Sequence, residues 1–395
     1  MLYFIFCLVT IAFLVILQHT KLTISQQGII EIISVLILFI CIFIPALVYA
    51  SPLFMVSSDF QSNLLLLSAP EAMLDVRFDP KLQTILLSLL SNFGSPFEIL
   101  VMLWAIVPTL TVYSTVRFIR LYRHFYTHDH IFFILFSFTS AIYSLLFITK
   151  GFYGVLTIFN ANEIPTSHLL FQCISTSFVF TALLILPDSL LRRCLFIIGL
   201  CLHSSSIIFV INSLKFPKKI LSRFRLLRFR VNNIDPIIFS LFFVIASIGV
   251  SLVIITGYSQ YVSLRGSSFN LESDMFGVSS IESLFRLILT SLAALLSLAI
   301  NVFSSSSRNA EDIHTMPAYF RFNSTYSPAY SLKNLAVTSI SNNFLWVAGA
   351  TPLLMLPIVV INYGITYRLI YPLYQLTPII TASLVLSVLN LLRKR

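Results

Sequence analysis

Arg192-Arg193-Cys194-Leu-Phe-Ile-Ile-Gly-Leu-Cys-Leu-His203-Ser-Ser-Ser-Ile-Ile-Phe-Val-Ile-Asn-Ser-Leu214-Lys215-Phe-Pro-Lys218-Lys219 is the stretch on which the fold turns. Its apolar part, Cys194 to Leu214, is as long as a helix that crosses a hydrocarbon core of about 30 Å. Its flanks do not suit a crossing. Arg192 and Arg193 precede it, and Lys215, Lys218, Lys219, Arg223, Arg225, Arg228 and Arg230 follow it. Basic loops stay on the cytoplasmic side of a membrane, so a segment bounded by two of them enters and leaves by one face. It is too short to cross twice. The reading that satisfies the charges is a re-entrant hairpin over residues 194–214, two short helices that meet near mid-membrane at Leu202-His203-Ser204-Ser205-Ser206. Such backbone is tolerated only where it is buried in protein or lines a wet cavity. The competing reading is one ordinary span that breaks the charge rule.

The rest of the chain sets the context. Of 395 residues, 57% are hydrophobic and 10% are charged, whereas a water-soluble domain carries about 25% charged residues. Apolar runs suited to spanning helices extend from Met1 to Leu17, Ile29 to Ala50, Glu98 to Ile119, Ile131 to Thr149, Ser167 to Leu186, Pro236 to Thr256, Ser283 to Phe303, Asn343 to Asn362 and Tyr371 to Leu391. The expected fold is an all-α polytopic transmembrane helical bundle of about 9–11 spans, with the hairpin near residues 194–214. The short alternating strands of a membrane barrel are excluded. The first run has no basic region before it and no small-residue cleavage site, so it reads as a span and not a signal peptide.

The whole of 1–395 therefore reads as a single integral membrane domain. Net charge is +10, and in such a chain the basic excess orients spans and does not attract nucleic acid. With Arg117, Arg120, Arg123, the 192–230 cluster and Arg393-Lys394-Arg395 all inside, the segments 51–97, 150–166, 257–282 and 363–370 face outward. Segment 51–97 mixes charges with the runs Leu64 to Leu67 and Ile85 to Leu90, which suits amphipathic helices lying on the membrane. Segment 304–342 is a polar loop on the cytoplasmic side. Cys7, Cys41, Cys173, Cys194 and Cys201 lie in or beside apolar runs, where thiols behave as small hydrophobes. No metal-ligand spacing, phosphate loop or nucleophile elbow is present.

Few residues are placed to do chemistry, because ionisable groups at membrane depth are costly. Arg368 lies in the outer connection before the last span, among Tyr363, Tyr367, Tyr371 and Tyr374. An aromatic belt with a snorkelling arginine explains that pattern, and a guanidinium gripping phosphate oxygens explains it equally. His203 stands at the expected hairpin turn, as a packing residue or as a proton acceptor or hydrogen-bond donor to a diphosphate. Glu98 opens the third span after Asn92-Phe93-Gly94-Ser95-Pro96. It is a partner of the helix dipole or the carboxylate that deprotonates a hydroxyl. Glu282 and Arg286 form an ion pair on one helix face, and Lys150, Arg265, Glu272 and Asp274 read as solvated loop residues.

Four stretches together resemble the O-antigen polymerase (Wzy) family, especially its EpsG-like exopolysaccharide polymerases. They are Pro96-Phe97-Glu98 at the start of a span, Phe171-Gln172 before a small-residue helix, the basic-apolar-His203-Ser-Ser-Ser-apolar stretch from Leu190, and Ile365-Thr-Tyr367-Arg368-Leu-Ile-Tyr371. The likeness runs loosely from residue 96 to the end. It departs at Phe171, where the group often has arginine, and Lys150 or His168 is the substitute cation it suggests. The resemblance implies a multi-pass glycosyltransferase of the bacterial inner membrane. It would transfer a growing glycan from undecaprenyl diphosphate to another lipid-linked repeat unit. On that basis His203 and Glu98 are the candidate catalytic bases, and Arg368, Gln172, Lys150, Tyr367 and Tyr371 bind substrate. No cofactor and no metal are required. The partners are the lipid-linked glycan, membrane lipid and a chain-length regulator protein.

Two other classes fit a basic polytopic chain. A lipid-linked oligosaccharide flippase or other transporter needs charges along a central cavity, and the spans hold only Glu31, Glu98, Arg117 and Arg286, all near their ends. A sensory receptor predicts seven spans, fewer than the chain offers.

Overall fold

The computed structural model describes residues 2–19, 24–49, 54, 58–68, 89–122, 130–149, 170–185, 189–203, 206–207, 209–211, 213, 245, 288–301, 340–353, 373 and 375–392. Among these residues every regular element is a helix. The chain forms two compact units, Met1–Ile207 with Tyr374–Ile379, and Ile208–Leu373 with Ile380–Arg395.

The first unit holds α1 (Leu2–His19), α2 (Ile24–Tyr49), α3 (Ser58–Ser68), α4 (Pro96–Tyr122), α5 (His130–Ile148), α6 (Leu170–Leu183) and α7 (Leu190–Leu202). Among the described residues three stretches are long and apolar enough to cross a membrane: Ile29–Val48 within α2, all of α4, and all of α5. They differ in what surrounds them. The apolar window of α4 is 78% buried in protein, against 28% for α2 and 39% for α5, so α4 is the central helix. It packs against α1, α2, α3, α5 and α6. The first two helices instead present an apolar outer face, with Phe6, Val9, Phe13 and Ile16 on α1 and Ile32, Ile33, Leu36 and Ile40 on α2 exposed. Cys7, Ile11 and Leu14 are buried on the other face. A helix apolar all round with one face uncovered by protein suits contact with lipid.

Entry into α4 is set locally. The backbone N–H of Ser95 donates to Glu98 Oε2 at 2.9 Å, and the Glu98 N–H donates to Ser95 Oγ at 3.4 Å. This reciprocal capping box supplies partners that the first helical turn lacks. Just outside it, α3 lays Phe60, Asn63 and Leu67 inward. Phe54, Phe60, Phe97 and Trp104 form one aromatic cluster, with ring centroids 4.9–6.4 Å apart. Segment 51–97 thus supplies a helix with one buried face that docks on the start of α4.

Hydroxyls join the helices within the apolar interior. Ser114 and Thr181 meet at 2.9 Å between α4 and α6, and Thr115 and Ser144 at 2.8 Å between α4 and α5. Away from water, such pairs satisfy one another. In the second unit, α8 (Ile288–Asn301) packs against α9 (residues 340–353) where Gly349 lies close to Ala294 and Leu295. The last helix, α10 (Thr377–Leu392), begins in the first unit and continues into the second, where Ser387 Oγ donates to Asn301 Oδ1 at 3.4 Å.

Candidate functional site

The site is built on α6 and α7, which pack side by side. Gly199 allows the approach: a Cβ there would meet Val179 Cγ2 at 2.8 Å and the Ser175 carbonyl oxygen at 3.1 Å. Three residues later the helix stops. Leu202 is the last residue of α7, and His203 is extended at φ −157, ψ 125, with its N–H donating to the Gly199 carbonyl at 3.2 Å. Residues 206, 207, 209–211 and 213 are helical again. The break thus falls at His203, inside the stretch where basic flanks call for a turn.

Ser175, in the middle of α6 and fully buried, braces the break. Its Oγ donates to the Gly199 carbonyl at 2.6 Å and lies 2.7 Å from Ser206 Oγ, which in turn donates to the His203 carbonyl at 2.7 Å. Each of these carbonyls also accepts a backbone N–H, Gly199 from His203 at 3.2 Å and His203 from Ser206 at 3.3 Å, so the serine hydroxyls add a second bond to each. His203 itself is half-buried. Gln172 sits one turn before Ser175 on the same face of α6 and is buried. On the neighbouring face, Gln375 Nε2 donates to the Cys173 carbonyl at 3.2 Å, and Ser177 Oγ donates to Gln375 Oε1 at 3.1 Å. One helix thus holds both the break at His203 and the segment that follows Arg368 by seven residues.

The depth of the break follows from register. Ser114 meets Thr181 and Arg117 meets Leu184, both at a separation of 67 residues, so α4 and α6 run parallel in step. Ser175 is then level with Pro108, close to the middle of the 27-residue α4, and about 20 Å from either end at 1.5 Å per residue. Glu98 is exposed at the end of that helix, roughly 15 Å along the axis from the level of the break. The two candidate bases therefore stand at different depths, and one hydroxyl cannot be served by both.

Toward the far end of α4 is a cluster with no counterpart in the candidate site expected from the sequence. Arg117 Nη1 pairs with Glu31 Oε1 of α2 at 3.0 Å and donates to Tyr113 Oη at 2.8 Å. Its Nε donates to the Leu184 carbonyl at 3.0 Å, and Tyr113 Oη donates to Glu31 Oε1. Arg192, which in the sequence is one member of a basic cytoplasmic flank, is buried, and its Nη1 donates to the Ile185 carbonyl at 3.2 Å. Two guanidinium groups thus close the C-terminal end of α6, where carbonyls are left open and the helix dipole is negative. Nearby, Arg120 Nη1 donates to Gln18 Oε1 at 2.6 Å and His19 pairs with Ser137 at 2.9 Å.

Arg368, Lys150, Tyr367 and Tyr371 lie outside the described residues, as do His168, Glu282, Arg286, Arg265, Glu272 and Asp274. Of the expected site, His203, Gln172 and Glu98 are described. Gln172 and His203 share the α6–α7 region, and Glu98 stands apart. Gln375, Ser175 and Ser206 complete the region, and the sequence marks them only weakly, as polar residues within apolar runs. Among the described residues no group of three or more His, Cys, Asp or Glu side chains is gathered in a way that could hold a metal ion. Comparison with family models, with curated proteins and with solved structures finds no match for this chain.

Proposed function

We propose that the chain is a multi-pass glycosyltransferase of the bacterial inner membrane that joins undecaprenyl-diphosphate-linked repeat units into O-antigen or exopolysaccharide. The observation that carries this reading is the break in α7. It holds an imidazole, half-buried, near the mid-depth of an otherwise apolar helical unit. Ionisable groups at that depth face the protein interior or a wet cavity and mark function more often than packing.

In this reading the polytopic bundle has about 9–11 spans and the segment after Leu190 is a re-entrant hairpin open to the outer face. The acceptor sugar hydroxyl attacks the anomeric carbon of the donor glycan. An O–C bond forms, the bond from that carbon to the diphosphate breaks, and the lipid diphosphate departs with the electron pair. His203 takes the hydroxyl proton, for which an imidazole titrating near neutrality is suited. Arg368 offers its planar fork to the developing charge on the diphosphate. Tyr367, Tyr371, Gln172 and Lys150 complete the binding of lipid and glycan. The link from Gln375 to Cys173 and Ser177 supports this assignment, because it ties the segment after Arg368 to the helix that braces His203.

The deciding experiment supplies the gene to a strain that lacks its own polymerase but makes the matching repeat unit. Long polysaccharide chains are expected to return. A strain that exports single repeat units and never forms a ladder with the gene present overturns the reading. Deletion in the native host separates it from a flippase: single units still reach the surface without the polymerase, and none do without the flippase.

A further inference from the structure

The end of α4 that carries Arg117 and Arg120 is its cytoplasmic end by the basic excess there. Three packed helices meet at it: the last turn of α1, the last turn of α4 and the first turn of α5. Arg120, half-buried, donates from Nη1 to Gln18 Oε1 at 2.6 Å. A guanidinium has donors and no acceptor, so the amide must turn its oxygen to it. Gln18 Nε2 is thereby left buried with no partner, in a side chain only 2% exposed. A buried N–H donor in that state is costly and calls for an acceptor from outside the chain. His19, next along α1, pairs with Ser137 of α5, and its ring lies 6.2 Å from that of His130. His130 is exposed and opens α5, whose first N–H groups have no intrahelical acceptor and whose dipole is positive at this end.

The surface beside these donors is apolar. Ile16, two residues before Gln18, is exposed, and so is Ile131, directly after His130. Phe13 and Leu135 carry the exposed faces of α1 and α5 one turn further into the apolar stretch. Donors at the helix ends with hydrocarbon faces beneath them suit an anion that has an apolar tail. Basic pockets between helices on the cytoplasmic side hold phospholipid head groups in this way, and a guanidinium matches the oxygens of a phosphate.

We propose that the junction of α1, α4 and α5 binds an anionic phospholipid of the inner leaflet. Arg120 and His130 hold its phosphate, Gln18 Nε2 is the inner donor, and its acyl chains run along Ile16, Ile131 and Leu135. The lipid ties the end of α1 to the ends of α4 and α5. The site does not rest on the polymerase reading, since it requires only a membrane that contains acidic lipid.

The test is the unfolding temperature of the purified full-length protein in a neutral detergent, with added phosphatidylglycerol, phosphatidylcholine or sodium phosphate at equal ionic strength. Phosphatidylglycerol is expected to raise the midpoint saturably, on the order of 3 °C at a hundredfold excess over its Kd. Phosphatidylcholine and inorganic phosphate are expected to do much less. Arg120→Gln should remove the advantage of phosphatidylglycerol, and His130→Gln gives a second reading should the first variant not fold. Arg193→Gln, which removes an exposed basic residue of α7 outside the site, should keep it. Equal midpoints in the two lipids overturn the proposal, as does an advantage that survives in both site variants. An advantage lost equally in Arg193→Gln would mark general surface charge and overturn it too. Inorganic phosphate acting as strongly as phosphatidylglycerol would make the ligand a soluble anion and overturn the lipid assignment.

Discussion

At the residue scale, two candidate bases invite different expectations. The Glu98 carboxylate accepts from the Ser95 N–H in an exposed capping box, so a structural role accounts for it fully. Glutamine keeps a carbonyl oxygen for the same bond. Glu98→Gln is therefore expected to leave both folding and glycan ladders unchanged, whereas His203→Gln should abolish the ladder at normal expression. Loss of the ladder in Glu98→Gln, with the unfolding midpoint intact, would reassign the base. Arg368→Lys keeps the charge and loses the fork. Long chains should disappear on a glycan gel while expression stays level, and normal chain lengths would remove Arg368 from the site. His203 was legible in the sequence because its neighbours are apolar and its flanks basic. Gln375 was not, since an amide at the end of an aromatic stretch gives no hint of bonding to a helix some 200 residues earlier.

At the element scale, apolar run length located α1, α2, α4 and α5 to within a few residues, because a helix in lipid must satisfy its backbone internally and must have a set length. Run length says nothing of which helix lies in the middle. That follows from side-chain partners such as Glu31 and Arg117, 86 residues apart, which no periodicity relates. The same limit hid the role of Arg192: counted only as a cytoplasmic charge, it also closes the end of α6 together with Arg117. Removing one member of the Glu31–Arg117 pair leaves the other partly buried without its opposite charge. Glu31→Ala should lower stability by about 2 kcal/mol, with Tyr113 and Leu184 retaining part of the guanidinium's bonding. A double-mutant cycle with Arg117→Leu, read by unfolding in detergent, should show positive coupling; additive effects would mean that the pair contributes nothing. Gly199→Ala inserts a methyl 2.8 Å from Val179 Cγ2 and 3.1 Å from backbone. The expected loss is about 1–3 kcal/mol, recovered only in part by Val179→Ala, because the Ser175 carbonyl remains in the way. Full recovery would show that the α6 backbone yields.

At the scale of the whole molecule, the open alternative is whether the chain from Leu190 to Lys219 returns to the face it left. Charge alone favours return, since Arg192–Arg193 and the 215–230 cluster are both basic. The helix break at His203 agrees with a hairpin, but a kinked single span also contains a break. Labelling separates them. In a background without the five native cysteines, single cysteines at Asp188 and Lys218 flank the segment, and one at Phe93, an exposed residue just before α4, reports the other end of α4. An impermeant thiol reagent added to intact cells should label position 93 and spare both 188 and 218, which should react once the membrane is opened. Labelling at 93 and 218 with protection at 188 would instead make the segment an ordinary span and shift the side assigned to everything after it. The consequence reaches the chemistry. Under the hairpin, cysteines at 203 and 368 should both be reached only from the outer side. Under the single span, the segments after it change sides, so the connection holding Arg368 moves to the cytoplasmic face and no outward-facing pocket can unite the two residues.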